Sequence, residues 1–159
     1  MIDETQIKSL IDNYQQRIFA LALYLAGNDK NKAYEITASS FVKALRTASP
    51  FEEGDSFLVR IAGVAIDKSR DIKVIPSADE SNLVDIAPRR KRFFKIITLA
   101  LQSLPFEAKA LLLLRDQVHL AYKDISAALK ISESASRIQT LQAREQIKEK
   151  IKEILSRGR

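Results

Sequence analysis

The side chains with the clearest chemical potential are basic and hydroxyl groups on one predicted helix near the C-terminus. They recur at intervals of one, three and four residues: Ser136, Arg137, Thr140 and Arg144. At 100° per residue, we predict that these four point outward while Ala135 and Ile138 face inward. Guanidinium groups bind phosphates and guanine edges, and hydroxyls hydrogen-bond to bases. The pattern therefore indicates one or two base contacts and some phosphate contacts.

A helix, a tight turn and a second helix would position these side chains. Ile125 and Leu129 lie on one face of the first predicted helix, at i and i+4. Lys130 begins the turn, and Ser132 is a natural N-cap for the second helix. Two helices joined by about three residues form a helix-turn-helix, whose second helix can enter the major groove of DNA.

The net charge of +6 is unevenly distributed along the 159 residues. Residues 1–75 hold ten Lys/Arg and ten Asp/Glu, whereas residues 76–159 hold sixteen and ten. A basic half favours a polyanionic partner, although a solvated surface explains the charge equally well. The run of basic residues at 89–92 has the same two readings, phosphate contact or a solvated helix end.

An enzyme is not expected. The chain has no cysteine and one histidine, His119, so a cysteine-histidine metal site is excluded. No glycine-rich phosphate loop occurs, and Asp67 reads as a surface ion-pair partner of Lys68 or Arg70. We therefore expect no catalytic residue, no metal site and no cofactor. No apolar run approaches the ~20 residues of a membrane span, and the N-terminus lacks signal-peptide features, so we expect a cytoplasmic protein without membrane contact.

Helical periodicity runs along most of the sequence and predicts an all-α fold. Gly27-Asn28-Asp29 should separate the first two helices, and Asp55 or Ser56 should cap the third. Phe93 is expected to face inward from the fourth. We predict two small helical domains, residues 1–73 and 92–159, joined by a linker at 74–91; the C-terminal domain contains the helix-turn-helix.

With these motifs in place, the chain resembles the extracytoplasmic-function (group IV) bacterial sigma factors. LQSLPFEAKALLLLRD at 101–116 resembles the family's "L..LP...R.VLLLRD", and LAYKDISAALKIS at 120–132 resembles "LSYEEIAEILGIS". FVKAL at 41–45 and FLVRIA at 57–62 are similar to "FLKAW" and "WLYRIA". The match spans nearly the whole chain.

The resemblance implies an N-terminal domain that binds core RNA polymerase and opens the −10 promoter element, and a C-terminal helix that reads the −35 element. It implies an anti-sigma protein as a further partner. The polymerase contacts would fall on Glu35 and Lys43. The −10 contacts would fall on four basic residues: Arg60, Lys68, Arg70 and Lys73.

Several positions depart from the family pattern. Of the acids on the family's second helix, only Glu35 is kept. The family's "ARN" reads Ala62-Gly63-Val64, and Lys130 stands where a turn glycine is expected. These departures favour an alternative, a degenerate sigma-like regulator that binds an anti-sigma protein without directing polymerase. A helix-turn-helix repressor is a second alternative, but it leaves the N-terminal half unexplained.

Overall fold

The computed structural model describes residues 2–47, 56–72 and 88–157, and these residues contain helices and no strand. The predicted all-α fold is therefore confirmed. The α-helices are α1 (Glu4–Leu25), α2 (Lys30–Thr47), α3 (Ser56–Ser69), α4 (Pro88–Gln102), α5 (Phe106–Leu112), α6 (Tyr122–Leu129) and α7 (Glu133–Arg157). A π-helical segment, Leu113–Gln117, follows α5 directly.

Helix ends in the N-terminal half follow from local side-chain chemistry. Asp3 and Gln6 form a reciprocal capping box at the start of α1, with backbone to side-chain distances of 2.8 and 3.0 Å. Gly27 and Asn28 both adopt positive φ and end the α1 turn, as glycine and asparagine tolerate. The Asp29 carboxylate then accepts the Lys32 N–H at 3.1 Å and caps α2.

The fourth helix begins with the basic run as predicted, but one of its aromatic side chains is oriented differently. Phe93 is 67% exposed, so the expectation that it faces inward was wrong. Phe94 instead contacts the ring of Tyr24 on α1, with centroids 5.7 Å apart. Phe94, Ile97 and Leu101 share one face at i, i+3 and i+7, which turns Phe93 away from the core.

The apolar core is continuous between the two halves of the chain. It joins Leu21 of α1 and Ile61 of α3 to Leu114 and Ile125 of the C-terminal half. The predicted division into residues 1–73 and 92–159 stays a prediction. Of the linker at 74–91, residues 74–87 lie outside the described residues, as do Lys73 and the cap candidate Asp55.

A buried lysine adds a polar connection between the halves. The Lys109 ammonium donates to the Gln102 Oε1 at 3.2 Å, and the Gln102 Nε2 donates to the Tyr24 carbonyl at 2.9 Å. Burial lowers the pKa of Lys109, because the charged form loses solvation. The chain of hydrogen bonds joins α5 through α4 to the end of α1.

Candidate DNA-binding interface

The turn of the helix-turn-helix is built around a left-handed lysine. Lys130 has φ 58° and ψ 43°, and its N–H donates to the Ser126 carbonyl. The Ile131 N–H donates to the same carbonyl at 3.2 Å, and the Ser126 hydroxyl donates to the Ile131 carbonyl. These bonds hold a conformation that costs a non-glycine residue about 1 kcal/mol.

The second helix begins where the sequence predicts. The Ser132 Oγ accepts the Ala135 N–H at 3.0 Å, which is the N-cap interaction. Glu133 lies in the first turn of α7, where a carboxylate favours the helix dipole. The Ser136 hydroxyl also lies 3.3 Å from the Tyr122 carbonyl oxygen, which links the first turn of α7 to the start of α6.

Two of the four residues predicted to point outward from α7 are buried instead. Ser136 and Thr140 have no exposed surface, and Ala143 is 1% exposed. The Ser136 hydroxyl donates to the Glu133 carbonyl at 2.6 Å, and the Thr140 hydroxyl to the Ser136 carbonyl at 2.6 Å. Because hydroxyls can donate to carbonyls of their own helix, these side chains pack inward without losing a hydrogen bond.

The buried side chains define the rotational phase of the whole of α7. Ser136, Thr140, Ala143 and Ile147 follow one another at steps of four, three and four residues, which is a single stripe on a straight helix. Ile151 and Ile154 continue it half-buried. Accordingly, α7 runs unbroken from Glu133 to Arg157.

Arg137 is exposed on α7, as predicted, and is oriented by two neighbours. Its guanidinium pairs with the Glu133 carboxylate at 2.8 Å. It also lies 5.1 Å from the Tyr122 ring centroid, within cation–π range, and the Arg115 guanidinium lies 4.3 Å from the same ring. The ion pair with Glu133 and the contact with the Tyr122 ring position Arg137 at the surface and leave its side chain 58% exposed.

Arg144 has a different setting, because it links α7 to the π-helical segment. Its guanidinium pairs with the Asp116 carboxylate at 2.8 Å, and this hydrogen bond raises the pKa of Arg144. The pair borders an apolar cavity of about 210 Å³ whose lining includes Tyr24, Ile97 and Ile147. The side chain is 40% exposed, so any phosphate contact by Arg144 would compete with Asp116.

The outward face of the first turns of α7 carries two large apolar side chains. Ile138 is 56% exposed and Leu141 is 58% exposed. The expectation that Ile138 faces inward was therefore wrong. At 100° per residue, Ile138 lies 200° from Ser136, on the opposite side of the helix.

On α3, two of the predicted −10 contacts already bond elsewhere. The Arg60 guanidinium donates to the carbonyl and hydroxyl oxygens of Thr47, both at 3.1 Å. Arg70 pairs with Glu107 on α5, and its guanidinium lies 5.1 Å from the Phe106 ring centroid. Asp67 pairs with Arg70 at 3.7 Å, as predicted. Lys68 is exposed, and Lys73 lies outside the described residues.

The first helix of the helix-turn-helix packs on α3 at a glycine. A Cβ on Gly63 would lie 3.4 Å from the Ala128 carbonyl oxygen and 3.7 Å from the Ala128 Cβ. Gly63 is buried in this contact. The close approach of α3 and α6 thus occurs where the sigma pattern would have the arginine of "ARN".

On α2, the predicted polymerase contacts Glu35 and Lys43 are both exposed. Of the basic run, Arg90 and Arg92 are exposed and Lys91 is half-buried on the first turn of α4. In the ranges 2–47, 56–72 and 88–157, no group of three His, Cys, Asp or Glu residues is arranged to hold a metal ion. Nor is any helix there long and apolar enough to cross a membrane.

Residues 94–147 match the family model described as "Sigma-70, region 4". The match begins within α4 and covers α5, α6 and the first half of α7. Within this stretch, the helix-turn-helix is similar to region 4 of the sigma-70 family. No curated protein matches the chain.

Sequence reasoning missed several residues of the interface. Tyr122 and Asp116 orient the arginines, and Ile138 and Leu141 form the outward face. The correct phase of α7 is present in the sequence. Residues spaced three or four apart before Ile147 are Ala143, Thr140 and Ser136, and they form its buried stripe. The preference for burying isoleucine before serine led to the wrong face.

Proposed function

We propose that this protein is a group IV sigma factor that binds core RNA polymerase and directs it to promoter DNA. The observation that carries the proposal is the helix-turn-helix within the sigma-70 region 4 match, with the first turns of α7 capped, oriented and exposed. In this function α7 lies in the major groove of a −35-type element. Arg137 contacts DNA from its exposed position, and Arg144 does so when it leaves Asp116.

The N-terminal half supplies the other contacts of the proposed function. Glu35 and Lys43 on α2 meet polymerase, and the exposure of both side chains supports this assignment. Arg60, Lys68, Arg70 and Lys73 serve the −10-type face. The protein then works as a non-enzymatic partner of polymerase in the cytoplasm.

A second candidate is a sigma-like regulator that occupies an anti-sigma protein without directing polymerase. The α3 surface favours it. Gly63 and Val64 replace the arginine and asparagine of the sigma pattern, and α6 packs on Gly63. The bonds of Arg60 to Thr47 and of Arg70 to Glu107 also engage two of the cations that −10 DNA would need.

Capture by purified core polymerase from the same source tests the primary proposal. We expect the full chain to be retained and to support transcription from its own promoter, and Glu35→Lys to lose both. Glu149→Lys is the matched control, since Glu149 is exposed on the tail of α7 and pairs only at the surface with Lys152. If the wild-type chain binds an anti-sigma protein tightly but is never retained by polymerase, the regulator function replaces the sigma function.

A further inference from the structure

Two exposed apolar side chains, Ile138 and Leu141, lie on the outward face of the first turns of α7. The inward face is defined by residues with almost no exposure, among them Ser136 and Thr140. Ile138 lies on the opposite side, and Leu141 follows it at i+3 on the adjoining turn. This is the face that a helix-turn-helix turns toward base edges when its second helix lies in the major groove.

The flanking side chains make this face different from a core surface. Arg137 is beside Ile138 in sequence, exposed and held by Glu133 and Tyr122. Gln139 and Gln142 are also exposed and can bond to base edges or phosphates. An apolar pair flanked by a cation and two amides, with the exposed Glu145 one turn beyond Leu141, fits a polar groove that contains a few apolar groups.

The major groove presents one kind of apolar group, the C5-methyl of thymine. We infer that Ile138 and Leu141 contact thymine methyls, so that the chain selects T·A pairs at one or two positions of its site by apolar contact. This inference rests on the proposed DNA-binding function of α7 and specifies what the helix reads. Arg137 supplies the polar or phosphate contact beside it.

A protein partner for the same pair is the competing explanation, and the observations favour DNA. The apolar pair lies on the second helix of a sigma-70 region 4 match, in the turns that follow the cap. Among the described residues, the other large exposed apolar side chains lie on α2, on α4 and at the far end of α7. They therefore do not extend the pair along its own turns into a larger apolar patch.

Uracil substitution gives a direct test, because uracil lacks only the thymine methyl. The full-length chain is used to select duplex sites from a random pool. Affinity is then measured for the selected site with each thymine replaced in turn by uracil. We expect a loss of about fourfold at one or two positions, the amount that burial of one methyl-sized apolar group contributes.

Variants assign the effect to residues. Ile138→Ala and Leu141→Ala should each reduce the thymine-to-uracil ratio toward one at a defined position, while Glu149→Ala, on the exposed tail of α7, should keep it. Both apolar side chains are exposed, so these variants should fold, which circular dichroism verifies. Equal affinity for thymine and uracil sites in the wild-type chain would overturn this inference alone. An unchanged ratio in the Ile138→Ala, Leu141→Ala double variant would also overturn it. Failure to bind any duplex would instead contradict the proposed function.

Discussion

Gly63 on α3 lies directly against Ala128 on α6, with 3.4 Å between an ideal Cβ at position 63 and the Ala128 carbonyl oxygen. An alanine at position 63 makes ordinary contact at this distance, whereas a long side chain has to turn away from Ala128 into the cavity of about 320 Å³ that Gly63, Asp67 and Lys130 border. The contact therefore predicts opposite effects on stability for a small and a large side chain at position 63. It also connects the N-terminal half to the helix-turn-helix.

We expect Gly63→Ala to raise the free energy of unfolding by up to about 1 kcal/mol, since alanine replaces glycine inside a helix. Gly63→Arg, the residue of the sigma pattern, should lower it by about 1–3 kcal/mol and loosen α6 on α3, because its side chain starts 3.4 Å from the Ala128 carbonyl oxygen and overpacks the contact. Urea unfolding measures the first effect, and hydrogen exchange of the α6 amides measures the second. If the α6 amides of Gly63→Arg keep their protection against hydrogen exchange, α3 and α6 do not pack as described.

Lys130→Gly should stabilise the protein by about 1 kcal/mol, because glycine adopts the left-handed conformation at this turn without steric cost. Lys130 has φ 58°. Lys130→Ala is the matched control: it removes the same side chain but keeps the Cβ, so it should give no comparable gain. Equal stability of the glycine and alanine variants in chemical denaturation would contradict a left-handed residue 130.

The corrected phase of α7 predicts a contrast between adjacent residues. Thr140→Lys should destabilise the protein by more than 2 kcal/mol, because it places a charge at a site with no exposed surface. Gln139→Lys, at an exposed position, should change stability by less than about 0.5 kcal/mol. Thermal unfolding compares the two variants. Similar melting temperatures would restore the outward orientation first predicted for Thr140.

The sequence predicted the helices, the turn and the Ser132 cap because each depends on neighbours a few residues apart. It failed where distant residues decide the outcome. Phe93 and Phe94 fit the helical pattern equally well, and Tyr24 on α1 selects Phe94. Ser136 and Thr140 appear polar in the sequence, but bonds to their own helix allow α6 and α5 to cover them. The Gly63–Ala128 contact joins residues far apart in the chain and has no local pattern.

DNA binding should weaken strongly as salt rises, and Arg137 should account for one phosphate contact's share of that effect. Each neutralised phosphate adds about −0.9 to the slope of log K against log salt. If Arg137 contacts phosphate, Arg137→Ala should reduce the slope by about one, as fluorescence anisotropy across a salt series would measure. Arg144→Ala should have a smaller effect on binding because Arg144 already pairs with Asp116. A larger loss in Arg144→Ala would reverse these roles.

Lys109 predicts a pH dependence of stability. Burial lowers its folded-state pKa below the ordinary 10.5, so the unfolded chain binds more protons between these two pKa values. Stability should therefore rise with pH in that interval and level off above 10.5. The Lys109→Met variant should lack this rise of stability with pH. Subtracting the two unfolding curves removes the opposite contribution of Tyr24, whose pKa is raised by burial. Parallel curves would show that Lys109 is solvated in the folded state.

Because α6 packs on the Gly63 face of α3, that face cannot bind α6 and a partner at the same time. A partner that binds the Gly63 face of α3 has to displace α6, so its apparent affinity is reduced by the fraction of molecules in which the helices are apart. By thermodynamic reciprocity, binding at that face favours release of the helix-turn-helix. The two halves of the chain are therefore energetically coupled: what one half binds at this face changes the freedom of the other.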